Sequence, residues 1–181
     1  GLMVLAMAEC EPQDKSVRSI DASWHGQALV EGHLSKWLTH APTDTGMFRI
    51  AFDRRWSPKP ATQIELTMQS RLIYAMTAGY ELTQDQRYLD AARRGADFLL
   101  ERFRDPVHGG FFHVVAADGR VVSDIKRSYG HAFALHALAH LYRVSKDKRY
   151  REAALRTWQE ISTGLRDPKG GLFIDASRSF V

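Results

Sequence analysis

The sequence predicts an all-α fold in which repeated helical hairpins form an incomplete α/α toroid. A pattern of 62 residues recurs along the chain, and each copy holds one amphipathic helix and one helix with almost no charge. Such a unit cannot bury its apolar surface alone, so neighbouring copies must stack against each other. If the uncharged helices lie inside and the amphipathic helices outside, about three copies make an arc with an open edge and short β-hairpins in its loops.

The repeat is clearest in the amphipathic helices. Adding 62 to a position carries QDQRYLDAA, beginning at Gln84, onto KDKRYREAA, beginning at Lys146. The same shift aligns the two Arg-Asp-Pro sequences at 104–106 and 166–168. A third, weaker copy is indicated by Asp44, Gly46 and Phe48.

The chain before the first clear repeat contains one helix and two less regular segments. Residues 1–18 have little periodicity and are predicted to form a loose lead-in to a domain that covers 19–181. Apolar residues spaced three to five apart predict an amphipathic helix over about 19–40, which Pro42 ends. Two prolines predict a loop over 53–63.

Two stretches are nearly free of charge and are predicted to be the inner helices. Between Glu65 and Glu81 the only charged residue is Arg71, and between Arg127 and Arg143 there is none. A helix of this composition is typical of one that is buried almost all round. The two predicted helices cover about 67–82 and 126–144.

The outer helices are amphipathic and are predicted over about 84–103 and 147–165. Between the first of them and the second inner helix, alternating apolar runs flank Asp118-Gly119. That dipeptide is typical of a tight β-hairpin turn. We therefore expect a β-hairpin directly before the second inner helix.

Length and composition fit one globular domain of 181 residues, 44% of them hydrophobic. The net charge is +4, but basic residues are interleaved with acidic ones, which favours a solvated outer face over nucleic-acid binding. Cys10 is the only cysteine, which excludes an internal disulfide and a thiolate zinc site. No apolar run approaches the roughly 18 residues of a membrane span, so we expect a cytoplasmic chain that needs no cofactor.

Three motifs in order resemble the N-acylglucosamine 2-epimerase family, which includes cellobiose 2-epimerases and mannose isomerases. They are Q-S-R at 69–71, D-P-x-x-G-G-F-F at 105–112 and K-x-x-Y-x-H-A-F at 126–133. The resemblance implies an (α/α)6 barrel of six hairpins, of which this chain would supply the N-terminal half. It also implies a sugar substrate that is epimerised at C2, or isomerised from aldose to ketose, through an enediolate by histidine acid–base catalysis. We expect this segment to lack later catalytic histidines and to be inactive alone.

A sugar site is expected at the first turns of the inner helices. Arg71 is costly to bury without an anionic or polar partner, and the resemblance places it in the sugar pocket, where it would stabilise an enediolate. The alternative is an ion pair with a distant acid such as Glu65 or Asp124. Tyr129 matches a family residue that lines the site and would donate a hydrogen bond to a sugar hydroxyl.

Three further residues are candidates for that pocket. His131 is predicted in the first turn of the second inner helix, so we expect it to face the same rim as Arg71. The family motif makes it a candidate for substrate binding and catalysis, although an isolated histidine there would more often be a core residue. Gln69 is its repeat equivalent and should face the same rim. Thr67 stands where the family usually has a tryptophan, so Trp56 could supply the stacking surface, or it could pack over the helix ends.

The remaining histidines give weaker signals. His136 and His140 lie four apart on one helix face, but no third metal ligand is evident, so hydrogen bonding in the core is favoured over a metal site. His108 and His113 lie on the predicted turn and hairpin, where solvated loop histidines are favoured over residues that cover a sugar.

Two other functions stay open at this point. One is a helical-repeat binding module without catalysis, and the other is a glycoside hydrolase, which would need a pair of carboxylates that the inner helices do not offer between their ends. An open arc should also expose an apolar edge that favours a homodimer. The residues expected at that edge are Trp158, Ile161 and Leu165.

Overall fold

The computed structural model of the protein describes residues 22–60 and 62–181. The predicted lead-in over 1–18 and the first residues of the first helix lie outside the described residues. Within the described part of the chain, no helix is long and apolar enough to cross a membrane.

The first helical segment has three parts in direct succession. These are α1 (Ala22–Leu29), a π-helical stretch (Val30–Leu34) and α2 (Ser35–His40). The helix therefore ends just before Pro42, as the sequence predicts, because proline cannot continue the ladder of helical hydrogen bonds.

Four longer helices form the two complete hairpins of the chain. The inner helices are α3 (Leu66–Thr83) and α5 (Ser128–Ser145), which pack against each other. The outer helices are α4 (Gln86–Phe98), which continues as a π-helical stretch (Leu99–Phe103) and packs on α3, and α6 (Lys148–Gly164), which packs on α5. The predicted division into inner and outer helices is confirmed.

In both hairpins the inner helix ends, and the outer helix begins, in the same way. Both inner helices end at a residue in the left-handed region, Gln84 at φ 57° and Lys146 at φ 59°. The next residue caps the outer helix, since Asp85 accepts a hydrogen bond from the Arg87 backbone N–H, and Asp147 accepts one from Arg149 in the same way.

Short strands close the loops on one side of the helices. Strands β1 (Gln63–Glu65), β2 (Val114–Ala116) and β3 (Val121–Ser123) form one antiparallel sheet. Strands β4 (Lys126–Arg127) and β5 (Asp175–Ala176) form a second, antiparallel pair. The predicted hairpin at Asp118-Gly119 is confirmed between β2 and β3, with Gly119 at φ 85° where a side chain would be strained.

The third, weaker copy of the repeat is visible in the loops that follow the outer helices. Isolated antiparallel bridges join the two sides of each loop at corresponding positions in all three copies. They pair Pro42 with Phe48, Arg104 with Phe111, and Arg166 with Leu172.

The inner helices are not buried all round, which corrects the expectation from their lack of charge. Each exposes one side, and we call this the open face. Its members share helical spacings of three to four residues. They are Arg71, Tyr74 and Glu81 of α3 with Tyr129, Phe133, His136, His140 and Arg143 of α5.

The edge formed by α5 and α6 carries an apolar groove between the helices, lined in part by Tyr142, Leu155 and Trp158. Trp158 is 58% exposed, as expected for an uncovered edge. Ile161 and Leu165, which were expected beside it, are buried.

Candidate functional site

Arg71 and Tyr129 meet on the open face, between the first turns of the two inner helices. Nη2 of Arg71 donates a hydrogen bond to the Tyr129 hydroxyl over 3.1 Å. The guanidinium carbon lies 4.7 Å from the centroid of the Phe133 ring, and this ring meets the Tyr129 ring edge to face. The predicted convergence of Arg71 and Tyr129 is therefore present in the structure.

The guanidinium of Arg71 is exposed, which differs from the expectation for a charge in a buried helix. It needs no carboxylate, because water solvates it and the Phe133 ring supplies a cation–π contact. Within the described residues it forms no ion pair with Glu65 or Asp124. One of its five N–H donors is used by Tyr129, so the others can bind a ligand.

His131 does not lie at this rim, and that prediction is wrong. Its side chain is fully buried, Nε2 accepts a hydrogen bond from the Phe111 backbone N–H over 2.9 Å, and Nδ1 donates to the Arg127 carbonyl over 2.8 Å. Burial lowers the pKa of His131 to about 4, so the ring is neutral near pH 7. Both nitrogens hold the backbone, and neither is free for a substrate.

Gln69, the repeat equivalent of His131, also binds backbone groups and also lies away from the rim. Oε1 accepts a hydrogen bond from the Phe48 backbone N–H over 3.1 Å, and Nε2 donates to the carbonyls of Gly46 and Gly95, each over 2.9 Å. The side chain is fully buried. The equivalence of Gln69 and His131 is real, but both anchor the loop before their helix.

Trp56 packs on the first helix and not on the open face. Its ring lies 5.3 Å from the Trp37 ring and 5.8 Å from the His40 ring, centroid to centroid. This is the alternative in which the tryptophan covers helix ends, and it removes the stacking surface that Trp56 was expected to supply.

A buried charge cluster, which the motifs alone do not predict, holds the second loop. Nζ of Lys126 lies 3.0 Å from Oδ2 of Asp105, and the same oxygen accepts a hydrogen bond from Arg178 over 2.9 Å. Burial alone would raise the pKa of Asp105, but hydrogen bonds from Arg178, Lys126 and backbone N–H groups outweigh it and hold the pKa well below its ordinary value. The motif residues Asp105 and Lys126 thus stabilise the loop.

His136 and His140 of α5 lie on the open face and not in the core, which corrects their expected role. His136 is exposed, with its ring centroid 4.7 Å from that of Tyr74. Nε2 of His140 lies 2.5 Å from Oε2 of Glu81. Among the described residues there is no group of three or more histidine, cysteine, aspartate and glutamate side chains that could hold a metal ion.

The two loop histidines differ from each other. His108 is exposed, as expected for a solvated loop residue. His113 is only 8% exposed, and its backbone is hydrogen bonded to both Leu66 and Ser123 at the edge of the first sheet. Burial lowers the pKa of His113, so its ring is neutral at physiological pH.

A family model described as N-acylglucosamine 2-epimerase (GlcNAc 2-epimerase) matches residues 46–180, which is most of the chain. The chain belongs to the N-acylglucosamine 2-epimerase family. All three motifs that carried the resemblance lie inside the matched range, so that prediction is confirmed.

The members of the family that are similar to this chain include cellobiose 2-epimerases. The enzyme of Eubacterium cellulosolvens is 30% identical over 105 residues, which are 58% of this chain and 26% of the relative. The solved cellobiose 2-epimerase from Spirochaeta thermophila DSM 6192 superposes with a TM-score of 0.80 at 28% identity, covering 87% of this chain and 39% of that one. This chain therefore spans well under half the length of these relatives.

More distant structures show the fold alone. A D-mannose isomerase superposes with a TM-score of 0.81 at 19% identity, covering 90% of this chain and 41% of that one. An unsaturated glucuronyl hydrolase specific for heparin superposes with a TM-score of 0.64 at 15% identity, covering 81% of this chain and 41% of that one. The predicted toroid architecture is confirmed, and since isomerases and hydrolases share it, the fold does not decide the reaction.

Proposed function

We propose that the protein acts in the C2 epimerisation or the aldose–ketose isomerisation of a sugar, and that Arg71 and Tyr129 bind that sugar. The observation that carries this proposal is the exposed Arg71–Tyr129 pair, joined over 3.1 Å between the inner helices. Membership of the N-acylglucosamine 2-epimerase family supports the reaction class, and similarity to cellobiose 2-epimerases supports a sugar substrate.

Arg71 suits the charge that develops in such a reaction. A base removes the proton on C2 of the open-chain aldose, and the electron pair forms an enediolate across C1 and C2. Return of a proton to the other face of C2 gives the epimer, whereas transfer to C1 gives the ketose. The planar guanidinium can donate to two neighbouring oxygens at once and so stabilises the enediolate more than the neutral sugar.

The proton transfers are not assigned to His131, because its two ring nitrogens are engaged with the backbone. We infer that the histidines that act as acid and base come from further hairpins, and that this chain alone binds sugar without turning it over. The support is that this chain covers only 39% of a solved cellobiose 2-epimerase.

A glycoside hydrolase is less well supported by the open face. Such an enzyme needs two carboxyl groups on either side of the scissile bond. On the open face the carboxylate is that of Glu81, and it is bound to Arg143 over 2.7 Å and to His140. A single carboxylate that is engaged by an arginine and a histidine is a poor acid or base.

The binding proposal can be tested by titrating the protein with D-mannose and, separately, with cellobiose while following the arginine Nε–H signals by NMR. We expect a saturable shift of the Arg71 signal. Arg71→Ala should abolish binding, and Arg71→Lys should weaken it, because lysine keeps the charge but loses the planar fork. Arg156→Ala, on the exposed side of α6, is the matched control and should bind as the unchanged protein does.

Two outcomes would overturn the proposal. One is the absence of any saturable shift with both sugars. The other is equal binding by the unchanged protein and by Arg71→Ala.

A further inference from the structure

Residues on the open face of α3 touch their own repeat equivalents on α5. The shift of 62 carries Arg71 onto Phe133, and these two side chains form the cation–π contact of 4.7 Å. It also carries Tyr74 onto His136, whose ring centroids are 4.7 Å apart. The open face is therefore a series of contact pairs that runs down the seam between the two helices.

The lowest pair on this seam has its polar groups satisfied. Glu81 is the repeat equivalent of Arg143, and their side chains form an ion pair of 2.7 Å. His140 also lies within hydrogen-bond distance of Glu81. At this end of the seam, the polar side chains therefore bind one another.

The middle pair, Tyr74 and His136, differs from its neighbours. Tyr74 is 38% exposed and His136 is exposed, and within the described residues neither side chain forms a hydrogen bond. The Tyr74 ring also meets the His140 ring edge to face at 4.8 Å, which fixes its orientation. An ordered aromatic pair with a free hydroxyl and free ring nitrogens is thus presented beside the Arg71 site.

The spacing of this pair from Arg71 suits one sugar ring. Tyr74 lies three residues after Arg71, which places it one helical turn further along α3, about 5 Å away along the axis. A pyranose ring has an apolar face of C–H groups and a polar edge of hydroxyls. Aromatic rings with polar tips are suited to such a ligand, because the ring packs on the C–H face and the polar atoms bind the edge.

We propose that Tyr74 and His136 form a contact surface for a closed pyranose ring whose oxygens are held by Arg71 and Tyr129. This inference depends on the proposed function, because it extends the same sugar site. It names two further binding residues and the ring form that they recognise. It also supplies the aromatic surface that Trp56 does not provide.

The test is saturation-transfer NMR on the full 181-residue chain with methyl α-D-mannopyranoside, a sugar that cannot open its ring. Saturation of the protein aromatic protons should reach the ring C–H protons of the ligand. Tyr74→Ala and His136→Ala should each raise Kd about three- to tenfold, and Tyr74→Phe, which keeps the ring, should change it less. His108→Ala and Trp158→Ala, exposed residues away from the open face, should bind as the unchanged chain does.

The outcomes separate this inference from the proposed function. If Arg71→Ala abolishes binding while Tyr74→Ala and His136→Ala leave Kd unchanged, the contact surface is wrong and the sugar site stands. If the unchanged chain binds no sugar of either kind, both are wrong. Should Tyr74→Ala fail to fold, His136→Ala decides the matter, since it removes an exposed ring from the same contact surface.

Discussion

The inner helices α3 and α5 are two copies of one repeat, and they differ most on the face where a ligand can bind. In the core, Gln69 and His131 are different residue types, yet each accepts a hydrogen bond from the loop before its helix. On the open face some corresponding residues differ in charge, as Arg71 and Phe133 do, or in its sign, as Glu81 and Arg143 do. The repeat therefore specifies the scaffold, and the candidate site is built from positions at which the copies have diverged.

In the loops before the two helices, by contrast, it is a buried position that differs between the copies. Lys126 is fully buried and paired with Asp105, whereas its equivalent in the first copy is the buried Ile64. One copy holds its loop with charge and the other with apolar packing. The predictions below use these pairs, from the largest expected effect on stability to the smallest.

The largest loss is expected for Asp105→Ala. It leaves the Lys126 ammonium buried without its carboxylate, which should cost about 3–5 kcal/mol of unfolding free energy. The double variant Asp105→Ala with Lys126→Ile also replaces the buried ammonium by an isoleucine, as Ile64 stands in the first repeat, and should recover much of that loss. Guanidinium denaturation at pH 7 measures both. A double variant as unstable as the single one would contradict this account.

The second prediction concerns the pH dependence that His131 imposes. Because the folded-state pKa is lowered to about 4 from the ordinary 6.5, the unfolded chain binds a proton between these values that the folded chain does not. The contribution of the neutral His131 to the free energy of unfolding is complete above about pH 6.5. It is lost as the pH drops toward 4, by about 3 kcal/mol in all. His131→Gln copies Gln69, keeps an acceptor for the loop and removes this dependence.

The measurement is the free energy of unfolding of both proteins from pH 7 to pH 4.5. Other titrating groups are shared and cancel in the difference between them. As the pH falls, the free energy of unfolding of the unchanged protein should drop relative to that of His131→Gln. Parallel curves would show that His131 is not the source of the loss.

A smaller and equal effect is expected at the caps of the two outer helices. Asp85 and Asp147 each accept a hydrogen bond from the backbone N–H two residues later. Replacement of either by alanine should lower the melting temperature by about 2–4 °C. The two variants serve as controls for each other in thermal melting followed by circular dichroism, and a clear difference between them would break the equivalence of the copies.

Much of the scaffold could be predicted from the sequence, because the signals for it are local or periodic. The 62-residue repeat located the helices, and Asp118-Gly119 located the hairpin. The scarcity of charge in α3 and α5 predicts burial on every side, and here the prediction is wrong. One face of such a helix can instead carry aromatic and small residues with few charges and still meet water.

The candidate site was harder to predict, since its contacts join residues that are far apart in the sequence. His131 belongs to a family motif, but whether a motif histidine serves the backbone or a substrate depends on where its ring points. The ring that contacts the Arg71 guanidinium is Phe133, and the repeat shift of 62 is the signal that could have found this contact. The same shift would have paired Tyr74 with His136.

The division between scaffold and site is tested most directly by comparing Arg71→Ala with His131→Ala in two measurements, the free energy of unfolding and the affinity for D-mannose. Arg71→Ala removes an exposed side chain and should change stability by no more than about 0.5 kcal/mol while abolishing binding. His131→Ala leaves the buried Phe111 N–H without a partner and should cost about 2–3 kcal/mol, with the affinity of the folded protein retained. Equal destabilisation by the two changes, with sugar affinity unaltered by Arg71→Ala, would contradict the account.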